Sequence, residues 1–156
     1  MAIIGESDYR GAARERLAEA FVLLRAERLS GSIYLAGRAI EAMLRAVIWK
    51  SDPDYATGRK SLETGHDLRG MLKLLRNLGV LRSNVARDEL LDDVQSVARL
   101  WSNNMRFLPT AAVNRIWYNL REIDRKRSLK RAASEYYDSC SAVLKRCEAL
   151  WQTGRR

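Results

Sequence analysis

An all-α antiparallel bundle of about five to six helices is the fold this sequence predicts, and three observations carry the prediction. Apolar residues recur at spacings of three and four along most of the chain, the period of helices that bury one face. Nowhere does the apolar–polar alternation of a half-buried strand appear. Glycine, proline and short polar clusters divide the periodic stretches into lengths that suit single helices. With 156 residues, the simplest organisation is one domain with a core that needs no disulfide or metal. Residues 1–10 read as a lead-in, 11–152 as the bundle and 153–156 as a basic tail.

The stretch from Gly31 to Lys50 is the expected centre. Ile33, Ala36, Gly37, Ile40, Met43, Leu44, Val47 and Ile48 form its apolar stripe, and Ala36, Gly37 and Ala39 leave room for a neighbour to come close. Glu41 lies beside that stripe. Most helix carboxylates are solvated, so the commoner fate for Glu41 is a rim charge. The alternative is a partly buried acid holding an arginine from elsewhere in the fold.

Around this centre the remaining elements follow in order. Ala13, Leu17, Ala20, Phe21 and Leu24 mark a first helix from Gly11 to Arg28, and the break at Leu29-Ser-Gly-Ser makes it an antiparallel neighbour of the second. Residues 51–65 carry Asp-Pro-Asp and two glycines without apolar periodicity, a loop of a length often tied to function or motion. His66-Asp67 opens a short helix through Leu68, Met71, Leu72, Leu75 and Leu78, which Asn77-Leu-Gly79 closes. Ser83 or Asn84 caps a fourth helix bearing Val85, Leu90, Leu91, Val94, Val97, Ala98 and Trp101, and Pro109 stops it. Pro109-Thr-Ala-Ala restarts a helix that runs through Val113, Ile116, Trp117, Leu120 and Ile123. The last, from about Ser128 to Gln152, carries Ala132, Ala133, Tyr136, Tyr137, Cys140, Val143, Leu144, Cys147 and Trp151.

Composition narrows the function classes. No apolar run approaches the roughly eighteen residues of a membrane span. The first residues lack the charged start and long apolar core of a signal peptide, so no membrane association and a cytoplasmic location are expected. Cys140 and Cys147, seven residues apart on one helix, place their Cα atoms about 10.5 Å apart, too far for a disulfide, and read as packing residues. The net charge is +9, and residues 106–156 hold twelve Lys/Arg against five Asp/Glu. Such a skew points to an acidic partner such as nucleic acid. Its centre is Arg121, Arg125, Lys126, Arg127, Lys130 and Arg131, flanked by Trp117, Tyr118, Tyr136 and Tyr137, whose rings offer stacking surfaces if they are not core residues.

Catalytic signatures are sparse. His66 is the sole histidine, so any imidazole chemistry must use it, although a packing or capping role at a helix start is the commoner one. No glycine-rich phosphate loop, nucleophile elbow or cluster of metal-ligand spacing is present, so neither cofactor nor metal is expected. Asp88, Glu89, Asp92 and Asp93 form an acidic helix patch, either a solvated face or a dock for the basic tail of a second copy.

Three pieces of the chain resemble the HEPN family of small helical domains. The first is Ser32-Ile-Tyr34 with Ala39-Ile-Glu41-Ala-Met-Leu44-Arg-Ala46. The second is Gly65-His66-Asp67-Leu68 with Leu72 and Leu75. The third is Trp101-Ser-Asn-Asn-Met-Arg106-Phe107, followed by a long last helix. The resemblance implies a bundle of four or five helices, usually a homodimer, found in prokaryotic toxin–antitoxin and defence systems. Many HEPN domains are metal-independent ribonucleases that use an arginine and then a histidine, with four to six residues between them. Here the positions after Arg106 are Ala111, Ala112 and Val113, which can neither accept nor donate a proton. Arg59 and His66 have six residues between them, but before the third helix, where the family's histidine is structural. Through the resemblance, Glu41 and Arg106 are expected to pair across the bundle.

The leading expectation is therefore a dimeric, non-catalytic HEPN-type module that binds RNA or a partner protein, nucleotidyltransferase-like or of a defence system. The competing ones are a ribonuclease using Arg59, His66 and Arg106, and an assembly scaffold whose charge only keeps it dissolved.

Overall fold

The computed structural model describes residues 4–55, 65–81 and 84–153, all-helical apart from turns and links, with no strand among them. The described residues form six α-helices, α1 (Glu6–Arg25), α2 (Leu29–Ser51), α3 (Leu68–Asn77), α4 (Asn84–Leu100), α5 (Thr110–Asn119) and α6 (Leu129–Thr153), with one 3-10 turn, Asn103–Phe107, before α5.

Helix α2 is the hub, with α1, α3, α5, α6 and the 3-10 turn all packed on it. Its apolar residues cover more than one face, and Ile33, Ala36, Ala39, Ile40, Met43, Leu44, Val47 and Ile48 are all buried, as befits a helix with neighbours on several sides. The expected close approach at Gly37 is made by a side chain rather than by a helix backbone. A Cβ built on Gly37 would lie 2.2 Å from the Trp101 ring, and the Trp101 indole N–H donates to the Tyr34 carbonyl at 3.1 Å.

Several boundaries differ from the expectation. Helix α1 starts at Glu6, inside the expected lead-in, with the Asp8 carboxylate accepting from the Gly5 N–H at 2.7 Å. The break between α1 and α2 falls at residues 26–28, where Glu27 takes a left-handed conformation (φ 57°), and not at Gly31. Gly31 lies inside α2, where a Cβ would meet Leu23 at 3.0 Å, so it serves packing. Ser32 is buried and donates its hydroxyl to the Ala20 carbonyl at 2.8 Å. Pro109 precedes α5 as its cap, where a helix is expected to restart, but α4 ends at Leu100 and not at the proline.

Other expectations coincide with the structure. Asp67 caps α3 by accepting from the Arg69 N–H at 3.0 Å, and Gly79 (φ 67°) closes it. Of the two expected α4 caps, Ser83 lies outside the described residues and Asn84 is the first residue of the helix. Cys140 and Cys147 are buried free thiols; burial pushes both upward in pKa, Cys147 to about 12.

The two chain-distant helices α1 and α6 are tied by one carboxylate. Glu148 accepts from Arg10 Nε at 2.8 Å and Arg14 Nε at 2.7 Å. Trp151 lies beneath both Arg10 and Lys50, with the cations 5.2 and 4.6 Å from its ring centroid. No helix among the described residues is long and apolar enough to cross a membrane.

Candidate functional site

Two polar constellations stand out, and the first is centred on Glu41. Its side chain is only 4% exposed, so a rim position is overturned: α2 turns the carboxylate inward among cations. Arg38 and Arg45, three residues before and four after, lie on the same face of α2. Arg38 donates to Glu41 Oε2 at 2.6 Å and Arg45 Nε to Oε1 at 3.1 Å. Arg45 is itself buried; its two other nitrogens bond the Tyr55 hydroxyl (3.1 Å) and the Gly65 carbonyl. A buried carboxylate and a buried guanidinium thus neutralise each other and fasten both described ends of the 51–65 connection onto α2.

His66 completes the cluster. Its Nδ1 stands 2.9 Å from Glu41 Oε1 and 3.3 Å from an Arg38 nitrogen, while half of its side chain is exposed. With Nδ1–H donating to the carboxylate, the neutral ring keeps its lone pair on Nε2. Tyr9, Arg38, Glu41, Ala42, Arg45 and His66 line a cleft of about 260 Å³. This arrangement of an oriented imidazole beside an arginine can bind an anion and can accept a proton.

The expected Glu41–Arg106 pair does not form. Glu41 is saturated by cations of its own helix and by His66, and Arg106, on the exposed 3-10 turn, lies over its neighbour Phe107 at 4.5 Å from the ring centroid. Arg106 makes no ion pair with this cluster among the described residues, and Arg59 lies outside them. Arg38 and Arg45 were not foreseen as members, although their spacing from Glu41 is the ordinary one for helix ion pairs.

The second constellation is the link between α5 and α6. Of its six expected cations, Arg127 pairs with Glu122 and Glu135, Arg131 with Glu135, and Lys130 with Glu27. Arg121, Arg125 and Lys126, together with Arg115 on α5, are exposed and make no ion pair among the described residues. Arg121 closes α5 in a left-handed conformation (φ 60°) that glycine would adopt without strain. Trp117 and Tyr136 are core residues in mutual ring contact, and Tyr137 packs on Phe21, so none of the three presents a free stacking face. Tyr118, 56% exposed, is the one flanking aromatic that does.

The acidic patch is not free to dock a second copy as a whole. Glu89 and Asp93 pair with Arg146 and hold α4 to α6. Among the described residues, no group of three or more His, Cys, Asp or Glu is arranged to hold a metal ion. Comparison with protein-family models, with curated proteins and with solved structures finds no match to this chain.

Proposed function

We propose that this protein is an RNA-binding helical module of HEPN type. One observation carries the reading: Arg115, Arg121, Arg125 and Lys126 are exposed and make no ion pair among the described residues, on the same helix and following link as the exposed ring of Tyr118. Mobile cations contact phosphates, and an aromatic face stacks on any base. Backbone strain at Arg121 supports the same reading, because a glycine at that helix end would relieve it while losing the charge. The HEPN resemblance adds a homodimer and, as its companion, a nucleotidyltransferase-like or defence-system protein.

The test is fluorescence anisotropy with a labelled single-stranded RNA across a salt series. Affinity should fall steeply with salt. Arg121→Gly should reduce the slope by about 0.7, the share of one phosphate contact on a single strand, without lowering thermal stability. A scaffold would show no salt-dependent binding at all.

The geometry of His66 favours a second reading, a ribonuclease. In that chemistry Nε2 takes the 2′-hydroxyl proton and the 2′-oxygen bonds to phosphorus. The bond from phosphorus to the 5′-oxygen breaks, leaving a 2′,3′-cyclic phosphate and a 5′-hydroxyl that takes its proton from water. Arg38 would stabilise the charge on the phosphoryl oxygens. Cleavage in EDTA that disappears in His66→Ala establishes this reading; binding without cleavage leaves the module non-catalytic.

A further inference from the structure

Helix α3 carries a basic stripe that the skewed charge of the chain conceals. Arg69, Lys73 and Arg76 stand at positions i, i+4 and i+7, so they share one face, and all three are exposed. None makes an ion pair among the described residues. They line two adjoining grooves that share Lys73 and Arg76, one of about 390 Å³ with Asn77, Leu81 and Arg87, the other of about 430 Å³ with Leu72, Leu91 and Gln95. Arg87 is balanced by Asp88 at 3.2 Å, which leaves three uncompensated charges on α3.

We infer that this groove is the track of a single RNA strand, its phosphates on Arg76, Lys73 and Arg69, leading toward the Arg38–His66 cleft. The inference rests on the RNA-binding reading and adds a second surface to it. Three features select the occupant. Long flexible cations on one face suit a row of phosphates, which need charge and not fixed geometry. Leu91, partly exposed, gives the groove an apolar contact on which a base or ribose can lie, and Gln95 offers an amide to a base edge. Seven residues of helix span about 10.5 Å, the length of about three stacked nucleotides at 3.4 Å each. Direction follows from the chain: Arg69 lies in the first turn of α3, three residues after His66, so a strand running from Arg76 to Arg69 arrives at the cleft that holds His66.

The experiment measures anisotropy of a labelled oligouridylate with the full chain, with the triple variant Arg69→Gln, Lys73→Gln, Arg76→Gln, and with the charge-keeping Arg69→Lys, Arg76→Lys. Circular dichroism checks that each is folded. Loss of three phosphate contacts should lower the salt slope by about 2 and weaken binding by about 100-fold at 0.1 M salt, while the charge-keeping variant binds like the parent. If the triple variant fails to fold, equal weakening on single substitution at each of the three positions supports the track, and unchanged binding in all three removes it. A parent that binds RNA and a folded triple variant that binds it equally well would overturn the groove and leave the basic link standing. A parent that does not bind RNA would remove both. Polyglutamate binding as tight as RNA, and lost in the triple variant, would overturn RNA as the occupant.

Discussion

Glu41 shows how one carboxylate can be decided by its own helix. Burial of the acid beside Arg45 means that each charge depends on the other, and removing one leaves its partner desolvated and unmatched. Glu41→Ala should therefore cost about 3 kcal/mol in urea unfolding, at the lower end of the range for broken buried pairs, because Tyr55 and Gly65 still hold Arg45. Arg38→Ala removes a partner that is a third exposed and should cost under about 1 kcal/mol. Equal effects of the two substitutions would contradict the central role given to the buried pair. The i−3 and i+4 arginines were readable from the sequence as neighbours of Glu41. Their joint burial was not, because it depends on Tyr55 and Gly65 arriving from a connection without any periodic signal.

At the scale of elements, periodicity located each helix of the described residues but misjudged how the joints are made. Gly31 and Pro109 both carry turn chemistry; Pro109 starts a helix as expected, yet Gly31 sits within α2 to admit Leu23, and α4 ends at Leu100, well before the proline. The two misplaced joints share a cause. A residue's local permissiveness says where the chain can bend, whereas the bend is placed where two apolar faces meet best. The turn at residues 26–28 uses Glu27 at positive φ, a choice no propensity would make, because α1 and α2 must pack along their length with Ser32 against Ala20. Gly37 was legible as a close approach, but its partner, the Trp101 ring, comes from just past the end of α4 and could not be named from spacing. The same limit applies to the basic link. Charge count found the cluster, and only the fold reveals that Arg127, Lys130 and Arg131 are engaged by acids from three separate segments.

For the molecule as a whole, these engaged acids make stability dependent on pH. A hydrogen bond from Lys130 holds Glu27 below the usual carboxylate range; the Lys126 and Arg127 backbone N–H groups do so for Asp124, and Arg131 for Glu135. Glu148 has burial pulling it upward, and the hydrogen bonds from Arg10 and Arg14 outweigh it. In each case the folded chain releases the proton more readily than the unfolded one. The stabilisation is therefore complete above the unfolded value, 4.5 for the glutamates and 3.8 for Asp124, and is lost as pH falls through the lower folded value. Protonating these groups also adds to a positive charge that is already +9 at neutrality, so self-repulsion acts in the same direction. The urea midpoint should hold steady from about pH 7 to 5 and fall below about pH 4.5, with a shallower fall in Glu148→Gln, which has no carboxylate at the α1–α6 clamp to titrate. A midpoint that is unchanged or higher at about pH 3 would mean that these pairs contribute nothing to folding. The bundle would then be held by its apolar core and the buried Glu41–Arg45 pair, and the acids opposite the basic link would serve only to divide its cations into bound and free.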